Sequence, residues 1–173
     1  ARFVSPWQVE VNGRLLSAEK IILATGASPI IPPIPGLADI QPLTSENLWQ
    51  LQTLPERLLI IGGGAIGCEM AQAFQRLGSQ VTLVEAMPQL LSNEDKDLAA
   101  GVSNSLAAEG VEIMTGCKLL SVESEGAERS AVIGAAGNKP VNVEFEHILL
   151  AVGRRANTSG FGLQELGVAL NKN

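Results

Sequence analysis

The sequence LLIIGGGAIG, residues 58–67, decides the fold. Its four leading apolar residues are too few for a core helix, and they predict a strand that is covered on both faces. Glycines stand at positions 62, 64 and 67, which is the G-x-G-x-x-G spacing. A strand that runs into such a loop and is followed by a helix is typical of a dinucleotide-binding unit.

Each glycine of the loop has a physical task in such a unit. Gly62 makes the tight turn, Gly64 lets the backbone approach a pyrophosphate, and Gly67 lets the helix pack close to the strand. The free N–H groups at the start of the helix and the helix dipole favour an anion there. The loop therefore predicts a pyrophosphate site.

An acidic residue ends the next predicted strand. Residues 81–84 form a second buried strand, and Glu85 follows it, 18 residues after Gly67. A spacing of about 20 residues is expected for the acid that accepts hydrogen bonds from a ribose diol. A carboxylate there repels a 2′-phosphate by about 4 kcal/mol at about 4 Å and an effective dielectric of about 20. Because no Lys or Arg occurs from Leu77 to Asp95, the sequence favours NAD over NADP.

Two amphipathic helices are predicted on either side of this second strand. The first ends at Gly78. The second opens at Ser92, with Asp95 three residues on, and ends at Gly110. The apolar residues assigned to the helix faces are Ile66, Met70, Phe74 and Leu77 in the first helix and Leu98, Val102 and Leu106 in the second.

The remaining core segments are predicted to be strands. Residues 111–114 form a third strand, residues 117–145 an antiparallel meander, and residues 147–152 a last buried strand that ends at Gly153. Strands that alternate with helices indicate a parallel sheet with helices on its faces. The predicted fold class is α/β, a Rossmann-like parallel sheet with a three-stranded antiparallel meander crossover.

The N-terminal part is predicted to hold short extended segments. Residues 3–11 are extended, and residues 8–11 pair with residues 14–17 in a hairpin around Asn12-Gly13. Residues 20–23 form a short buried strand.

A proline-rich segment follows. Five prolines between Pro29 and Pro42 exclude regular structure and mark a linker. Thr44 or Ser45 then caps a short helix through Leu51.

Composition excludes several classes of protein. Hydrophobic residues make up 46% of the 173 residues and charged residues 17%, with a mean hydropathy of +0.21, which is a globular composition. A net charge of −6 without a basic run argues against nucleic acid and against an anionic membrane surface. No 18-residue apolar run is present, so a transmembrane helix is not expected.

The two cysteines and the single histidine are interpreted as structural. Cys68 and Cys117 lie too far apart in sequence for a disulfide framework or a metal knuckle, and they fit a reducing, cytoplasmic compartment. Both are expected to be small buried apolar residues. His147 lacks a nearby acid or nucleophile in sequence. We therefore expect no metal site.

Three further runs carry a family resemblance. They are IILATGASP at residues 21–29, IPG at 34–36 and AVGRRANT at 151–158. Together with the glycine loop and in this order, they resemble the pyridine nucleotide–disulfide oxidoreductases, in particular the dihydrolipoamide dehydrogenase and mercuric-reductase-like members. Ala156 stands where that family usually has proline.

The resemblance implies a domain arrangement and an activity. Full-length members are homodimeric flavoproteins in which an NAD domain, inserted into an FAD domain, delivers hydride from NADH to FAD. Residues 1–43 resemble the tail of the FAD-domain segment, residues 44–153 the NAD-binding domain, and residues 154–173 the return to the FAD domain. By this resemblance the chain is a fragment, expected to bind NAD(H) and to perform no turnover alone.

The resemblance also assigns cofactor-binding residues, and it assigns neither catalytic residues nor metal ligands. Glu69 approaches the nicotinamide end, Leu119 lies near the adenine, and Gly153 lies beside the dinucleotide. Thr25 and Gly26 form a turn that touches FAD. The residues assigned to the loop and the ribose are Gly62, Gly63, Gly64, Ala65, Ile66, Gly67 and Glu85.

Two other classes of protein share parts of the pattern. A non-catalytic NAD(H)-sensing module uses the same loop, but such repressors usually carry a DNA-binding segment, and none is visible in the sequence. S-adenosylmethionine-dependent methyltransferases also place a glycine loop and an acid after their first two strands. They hold no pyrophosphate and do not need the third glycine, so the complete motif disfavours them.

Overall fold

A computed structural model describes residues 1–126, 128–135 and 137–171. In this part the chain forms strands, two α-helices and short 3₁₀ turns. The elements in chain order are β1 (Arg2–Ser5), β2 (Gln8–Val11), β3 (Arg14–Ser17), β4 (Ala27–Pro29), β5 (Arg57–Ile61), α1 (Ala65–Leu77), β6 (Gln80–Glu85), α2 (Lys96–Ala108), β7 (Glu112–Thr115), β8 (Cys117–Glu125), β9 (Glu128–Ala135), β10 (Val141–Glu144), β11 (His147–Leu150) and β12 (Arg154–Ala156). The contacts divide the chain into two units, Ala1–Ser28 with Arg154–Asn173, and Pro29–Gly153.

A four-stranded parallel sheet is the centre of the larger unit. Its strand order is β11-β5-β6-β7, and each neighbouring pair runs parallel. The connections β5-α1-β6 and β6-α2-β7 are the crossovers that parallel neighbours require. The predicted α/β class and the predicted core strands are confirmed. Since β5 and β6 run the same way, the glycine loop and Glu85 come to the same edge of the sheet.

The sheet separates two hydrophobic clusters. Along β5, Leu58 and Ile60 belong to one cluster and Leu59 and Ile61 to the other, as expected because successive side chains of a strand point to opposite faces. The first cluster contains residues of α1 and α2, including Ala71. The second contains residues of the antiparallel strands that follow β7.

The predicted meander is confirmed. Strands β8, β9 and β10 form an antiparallel sheet in the order β10-β9-β8, with an irregular register between Leu119 and Ser121. Its inner face supplies Val122, Ala131 and Ile133 to the second cluster.

The buried face of α1 was predicted in part, because Met70 and Phe74 are partly buried and pack against the first cluster as expected. The buried residues are Gly67, Cys68 and Ala71, whereas Leu77 is 67% exposed and Ile66 is also exposed. At its start the helix lies so close to β5 that a Cβ at Gly67 would collide with the Gly62 carbonyl oxygen. The predicted end of the helix is confirmed, because Gly78 takes a left-handed conformation with φ 112° and its N–H bonds back to the last turn.

The start of α2 was predicted incorrectly, and its face was predicted correctly only at Leu106. The helix begins at Lys96 with Asp95 at the N-cap, and Ser92 lies in a preceding turn. Leu98 is 66% exposed, while Ala99 and Leu106 are buried. A four-residue step rotates a side chain by about 40° around a helix of 3.6 residues per turn, so successive steps leave the buried face.

The smaller unit holds a three-stranded antiparallel sheet, β1-β2-β3. The predicted hairpin is confirmed, with Asn12 at φ 51° and Gly13 at φ 75° in its turn. The predicted extended segment 3–11 is interrupted by a turn at residues 6 and 7. Strand β4 pairs with β12 in a separate two-stranded sheet.

The predicted buried strand at residues 20–23 is wrong. These residues form no strand, and Ile22 is 91% exposed. A strand needs a neighbour that accepts its backbone hydrogen bonds, and no described strand pairs with this segment.

The linker contains a short helical turn that was not predicted, and the segment after it contains less helix than predicted. Residues 38–40 form a 3₁₀ turn within the proline-rich segment. Instead of a helix through Leu51, only residues 48–50 form a 3₁₀ turn. Here the Asn47 side chain accepts a hydrogen bond from the Thr44 N–H at 2.6 Å, a local bond that competes with helix formation.

Both α-helices have 13 residues, fewer than the roughly 20 that a membrane span needs. Among the described residues no helix is long and apolar enough to cross a bilayer.

His147 gives the fold a pH dependence. Burial lowers its pKa below the ordinary value of 6.5; the charge of Arg129 acts in the same direction and that of Glu146 in the opposite one. A lowered folded-state pKa stabilises the fold above the unfolded-state value, and this stabilisation is lost as the pH falls through the folded-state value. We expect the thermal midpoint, followed by circular dichroism, to fall between about pH 7.5 and about pH 5.5.

The variant His147→Gln should show a smaller fall over the same pH range. The carboxyl of Glu109, whose pKa is lowered by its hydrogen bond to Arg76, titrates below this window. Equal falls in the variant and the parent chain would contradict the assignment to His147.

Candidate nucleotide-binding site

Gly62 turns the chain at the carboxyl end of β5. Its φ is 107°, a conformation that residues with a side chain rarely adopt, and its N–H donates to the Val84 carbonyl at 2.8 Å. A Cβ at this position would lie 2.5 Å from the carbonyl oxygen of Ala151, just after β11. Both the conformation and the packing of the chain therefore require glycine here.

Gly67 lies in the first turn of α1 and is buried. A Cβ there would lie 1.9 Å from the carbonyl oxygen of Gly62. The close packing of helix on strand that the sequence predicts for Gly67 is confirmed, and it holds the start of α1 against the end of β5.

Gly63 is bonded on both sides of its backbone. Its N–H donates to Glu85 Oε2 at 2.6 Å. Its carbonyl accepts the Leu91 N–H at 2.8 Å and lies 3.4 Å from the Cys68 Sγ, which donates to it. A Cβ at Gly63 would meet the side chain of Leu90 at 2.5 Å. This residue is fixed entirely by the protein itself.

Gly64 differs from the other glycines of the loop. It is the N-cap of α1, with φ −74° and ψ −175°, which any residue can adopt. It is exposed, and a Cβ built on it would meet no atom of the described chain within 4 Å. Neither conformation nor internal packing explains why a glycine stands here.

The start of α1 presents backbone donors. The first N–H groups of a helix have no partner within it. In the part of the chain that the structure describes, the amides of Gly64, Ala65 and Ile66 donate to no acceptor. These donors and the positive end of the helix dipole make this position suitable for an anion.

Glu85 lies beside the loop, half-buried at the end of β6. Its two carboxylate oxygens accept backbone N–H groups, Oε2 from Gly63 at 2.6 Å and Oε1 from Met87 at 2.7 Å. A carboxylate offers about four acceptor positions, so about two remain for hydroxyl donors.

The other residues predicted for the dinucleotide lie in different environments. Glu69 is exposed on α1. Leu119 is buried in the second hydrophobic cluster. Gly153 has φ 114°, and its carbonyl accepts the Ile30 N–H at 3.0 Å. Their contacts with a cofactor stay predictions.

The turn predicted to touch FAD lies in the smaller unit and is held by Asn157. The Thr25 hydroxyl donates to the Asn157 carbonyl at 2.6 Å, and the Asn157 side chain donates to the Thr25 carbonyl at 3.0 Å. Gly26, at φ 72°, accepts the Asn157 N–H at 2.9 Å, and the Ser28 hydroxyl donates to Asn157 Oδ1 at 2.9 Å.

The two cysteines have different environments. Cys68 is buried, as predicted, and burial raises the pKa of its thiol, with the nearby charge of Glu85 adding to the shift. Cys117 was predicted to be buried but is only half-buried, at the start of β8, where its thiol donates to the Thr115 carbonyl.

Sequence reasoning missed two groups of the loop. Leu91 donates to Gly63 from a left-handed conformation with φ 49°, which leucine rarely adopts and which no sequence pattern announces. The thiol of Cys68 was assigned to the core, although its place one residue after the motif could have drawn attention to it.

The whole chain is similar to members of one protein family. The family model described as pyridine nucleotide-disulphide oxidoreductase matches residues 1–173. The chain is 38% identical over 173 residues to a mercuric reductase of Lysinibacillus sphaericus, covering 100% of this chain and 32% of that protein. It is 37% identical over 180 aligned positions to a dihydrolipoyl dehydrogenase of Thermus scotoductus, covering 99% and 38%.

A solved structure shows the same likeness. The HOCl-induced flavoprotein disulfide reductase of Escherichia coli superposes with a TM-score of 0.85 at 30% identity, covering 99% of this chain and 39% of that one. The chain thus spans about a third of the length of the curated relatives named above.

The glycines of the loop should differ in what alanine does to stability. We expect Gly67→Ala to lower the free energy of unfolding by about 1–3 kcal/mol, because its Cβ would collide with backbone. Gly64→Ala should change it by less than about 1 kcal/mol, since a small loss of capping is offset by a stiffer unfolded chain. Thermal melts of the two variants check this, and equal losses would contradict it.

Proposed function

The chain belongs to the pyridine nucleotide-disulphide oxidoreductase family, and on this premise we propose that it binds NAD(H) at residues 62–67 and Glu85. In the full-length protein it delivers the hydride of NADH to FAD. The family consists of oxidoreductases, and its flavoprotein members imply FAD. The resemblance inferred from the sequence is thereby confirmed at the level of the family.

One observation carries the proposal. Gly64 is the N-cap of a helix whose first amides are free, and the fold itself would accommodate a side chain at this position. A side chain there would stand in the path of a group that approaches those amides. A pyrophosphate satisfies the amides, matches the sign of the helix dipole and explains the glycine.

Glu85 supports a nucleotide with two free ribose hydroxyls. It lies next to the loop, bonded to Gly63, with acceptor capacity left over. Its negative charge opposes a 2′-phosphate, and the segment from Leu77 to Asp95 contains no cation to offset it. NAD(H) is therefore the ligand that suits the site better than NADP(H).

The chain's own part in catalysis is positioning. NADH supplies the hydride when it is bound, and the protein must hold the nicotinamide against the flavin. In this proposal residues 62–67 and Glu85 bind the adenosine diphosphate half. Glu69 lies toward the nicotinamide end, Gly153 beside the dinucleotide, and Leu119 toward the adenine. Thr25 and Gly26 belong to the flavin side.

The activity of the whole protein extends the proposal. Related proteins bear the names mercuric reductase and flavoprotein disulfide reductase, so we propose a metal ion or a disulfide as the acceptor of the electrons. The full-length protein is proposed to be a cytoplasmic homodimer in which the FAD domain of the same chain is the partner of residues 44–153.

Gly64→Ala should weaken NADH binding without weakening the fold. The new methyl group blocks the approach to the helix amides, and we expect about a tenfold rise in Kd, which corresponds to about 1.4 kcal/mol. Calorimetric titration with NADH measures it.

Gly101→Ala is the matched control for this variant. Gly101 lies in α2, and a Cβ there also meets nothing within 4 Å. It should leave the Kd unchanged and stabilise the helix by about 1 kcal/mol. A normal Kd in Gly64→Ala, or equal losses of affinity in both variants, would sink the proposed site. S-adenosylmethionine binding in place of NADH would favour a methyltransferase.

Charge at residue 85 should set the preference between NADH and NADPH. Glu85→Gln removes the repulsion and Glu85→Arg replaces it by attraction, so the ratio of the Kd for NADPH to that for NADH should fall by about tenfold in Gln and further in Arg. Both Kd values of the ratio are measured on the same variant, so a change in folding that affects both nucleotides equally does not change the ratio. A ratio that stays at the parent value in both variants speaks against the ribose role.

A further inference from the structure

We infer that Leu91 and Cys68 are positioning residues that aim the Gly64 N–H at the bound pyrophosphate by holding the carbonyl of Gly63. This inference rests on the proposed function, because it concerns the same loop. It adds two residues that lie outside the G-x-G-x-x-G motif, one of which acts through its backbone alone.

The two donors converge on one oxygen. The Gly63 carbonyl accepts the Leu91 N–H at 2.8 Å and the Cys68 thiol, with Sγ at 3.4 Å. Leu91 lies in the segment between β6 and α2, and Cys68 in the first turns of α1. The carbonyl is therefore held from two independent elements, on the inner side of the loop.

Because the peptide bond is planar, holding the Gly63 carbonyl also fixes the direction of the Gly64 N–H. The Gly63 carbonyl and the Gly64 N–H belong to one planar trans peptide, in which C=O and N–H point in opposite directions. If the carbonyl is held toward the protein, the N–H is held away from it. That N–H is one of the donors with no acceptor in the described chain.

Leu91 provides its donor at a conformational cost. Its φ of 49° is in the left-handed region, where a side chain crowds the backbone. Strained conformations of this kind tend to persist at functional sites because the surroundings over-determine them. Here the neighbouring Leu90 is buried against the loop, and Leu91 itself packs against the first cluster.

Cys68 is suited to donate rather than to react. Burial raises the pKa of its thiol, so the S–H is retained at neutral pH. Glu85 already holds the Gly63 N–H. With Leu91 and Cys68 bonded to its carbonyl, both polar backbone groups of Gly63 are held in one orientation.

Three substitutions at Leu91 test the inference in the full chain, with ADP-ribose as the probe because it contains the pyrophosphate and no nicotinamide. Leu91→Val disfavours the left-handed conformation and should raise the Kd about tenfold, the scale of one hydrogen bond to a charged group. Leu91→Gly and Leu91→Asn keep the N–H and accept that conformation, so the Kd should stay within about twofold.

A role of the leucine side chain predicts the reverse order. Glycine would then be the weakest binder and valine the mildest change. Thermal midpoints should follow packing, with Leu91→Gly the least stable, so that affinity and stability rank the variants differently. Leu98→Val makes the same change at an exposed position of α2 and serves as the control. It should leave the Kd for ADP-ribose unchanged.

Cys68 is tested by the rescue of its donor. Cys68→Ser keeps a hydrogen-bond donor and should retain ADP-ribose binding within about twofold, whereas Cys68→Ala should weaken it several-fold. Equal affinities of Leu91→Val and Leu91→Gly, or of the two Cys68 variants, would overturn the inference. If the parent chain itself does not bind ADP-ribose, the proposed function fails before the inference is reached.

Discussion

The close approach of two backbones at one edge of the parallel sheet is the constraint on which the rest of the structure depends. The start of α1 lies so near the end of β5 that a Cβ at Gly67 would stand 1.9 Å from the Gly62 carbonyl oxygen. On the other side, a Cβ at Gly62 would meet the Ala151 carbonyl oxygen at 2.5 Å. Because side chains are excluded from both contacts, the positive end of the helix dipole is held at the carboxyl edge of the sheet.

The polar backbone groups of the loop form two sets, an inner set that is bonded within the protein and an outer set that is not. The inner set, the N–H and C=O of Gly63, is bonded within the protein by Glu85, Leu91 and Cys68. The outer set, the amides of Gly64, Ala65 and Ile66, has no internal acceptor in the described chain. A loop organised in this way needs little ordering when an anion arrives, so less of the binding free energy is lost to conformational entropy. The bonds of the inner set therefore orient the outer amides before a ligand binds.

The sequence predicted what depends on local pattern. The strand before the loop, the meander, the hairpin at Asn12-Gly13 and the end of α1 follow from apolar runs and glycine positions, and all were confirmed. The faces of the helices were predicted only in part. Met70, Phe74 and Leu106 contribute to the first cluster as expected, whereas Leu77 is exposed and the small Ala71 takes a buried position against the sheet. The strand expected at residues 20–23 failed since pairing depends on a neighbour. The left-handed Leu91 depends on its surroundings and leaves no trace in the sequence.

Glu85 connects the organisation of the loop with the choice of ligand that we propose. One carboxylate oxygen holds the Gly63 N–H, and the other holds the Met87 N–H at the start of the segment that leads to Leu91. The same group therefore holds the Gly63 N–H and steadies the segment that leads to Leu91. In the proposed function its remaining acceptor positions would take the hydroxyls of a sugar. Under the proposed function, a charge change at this residue would act on loop geometry and on ribose recognition together. For that reason only a comparison of two nucleotides that differ at the 2′ position separates recognition from geometry.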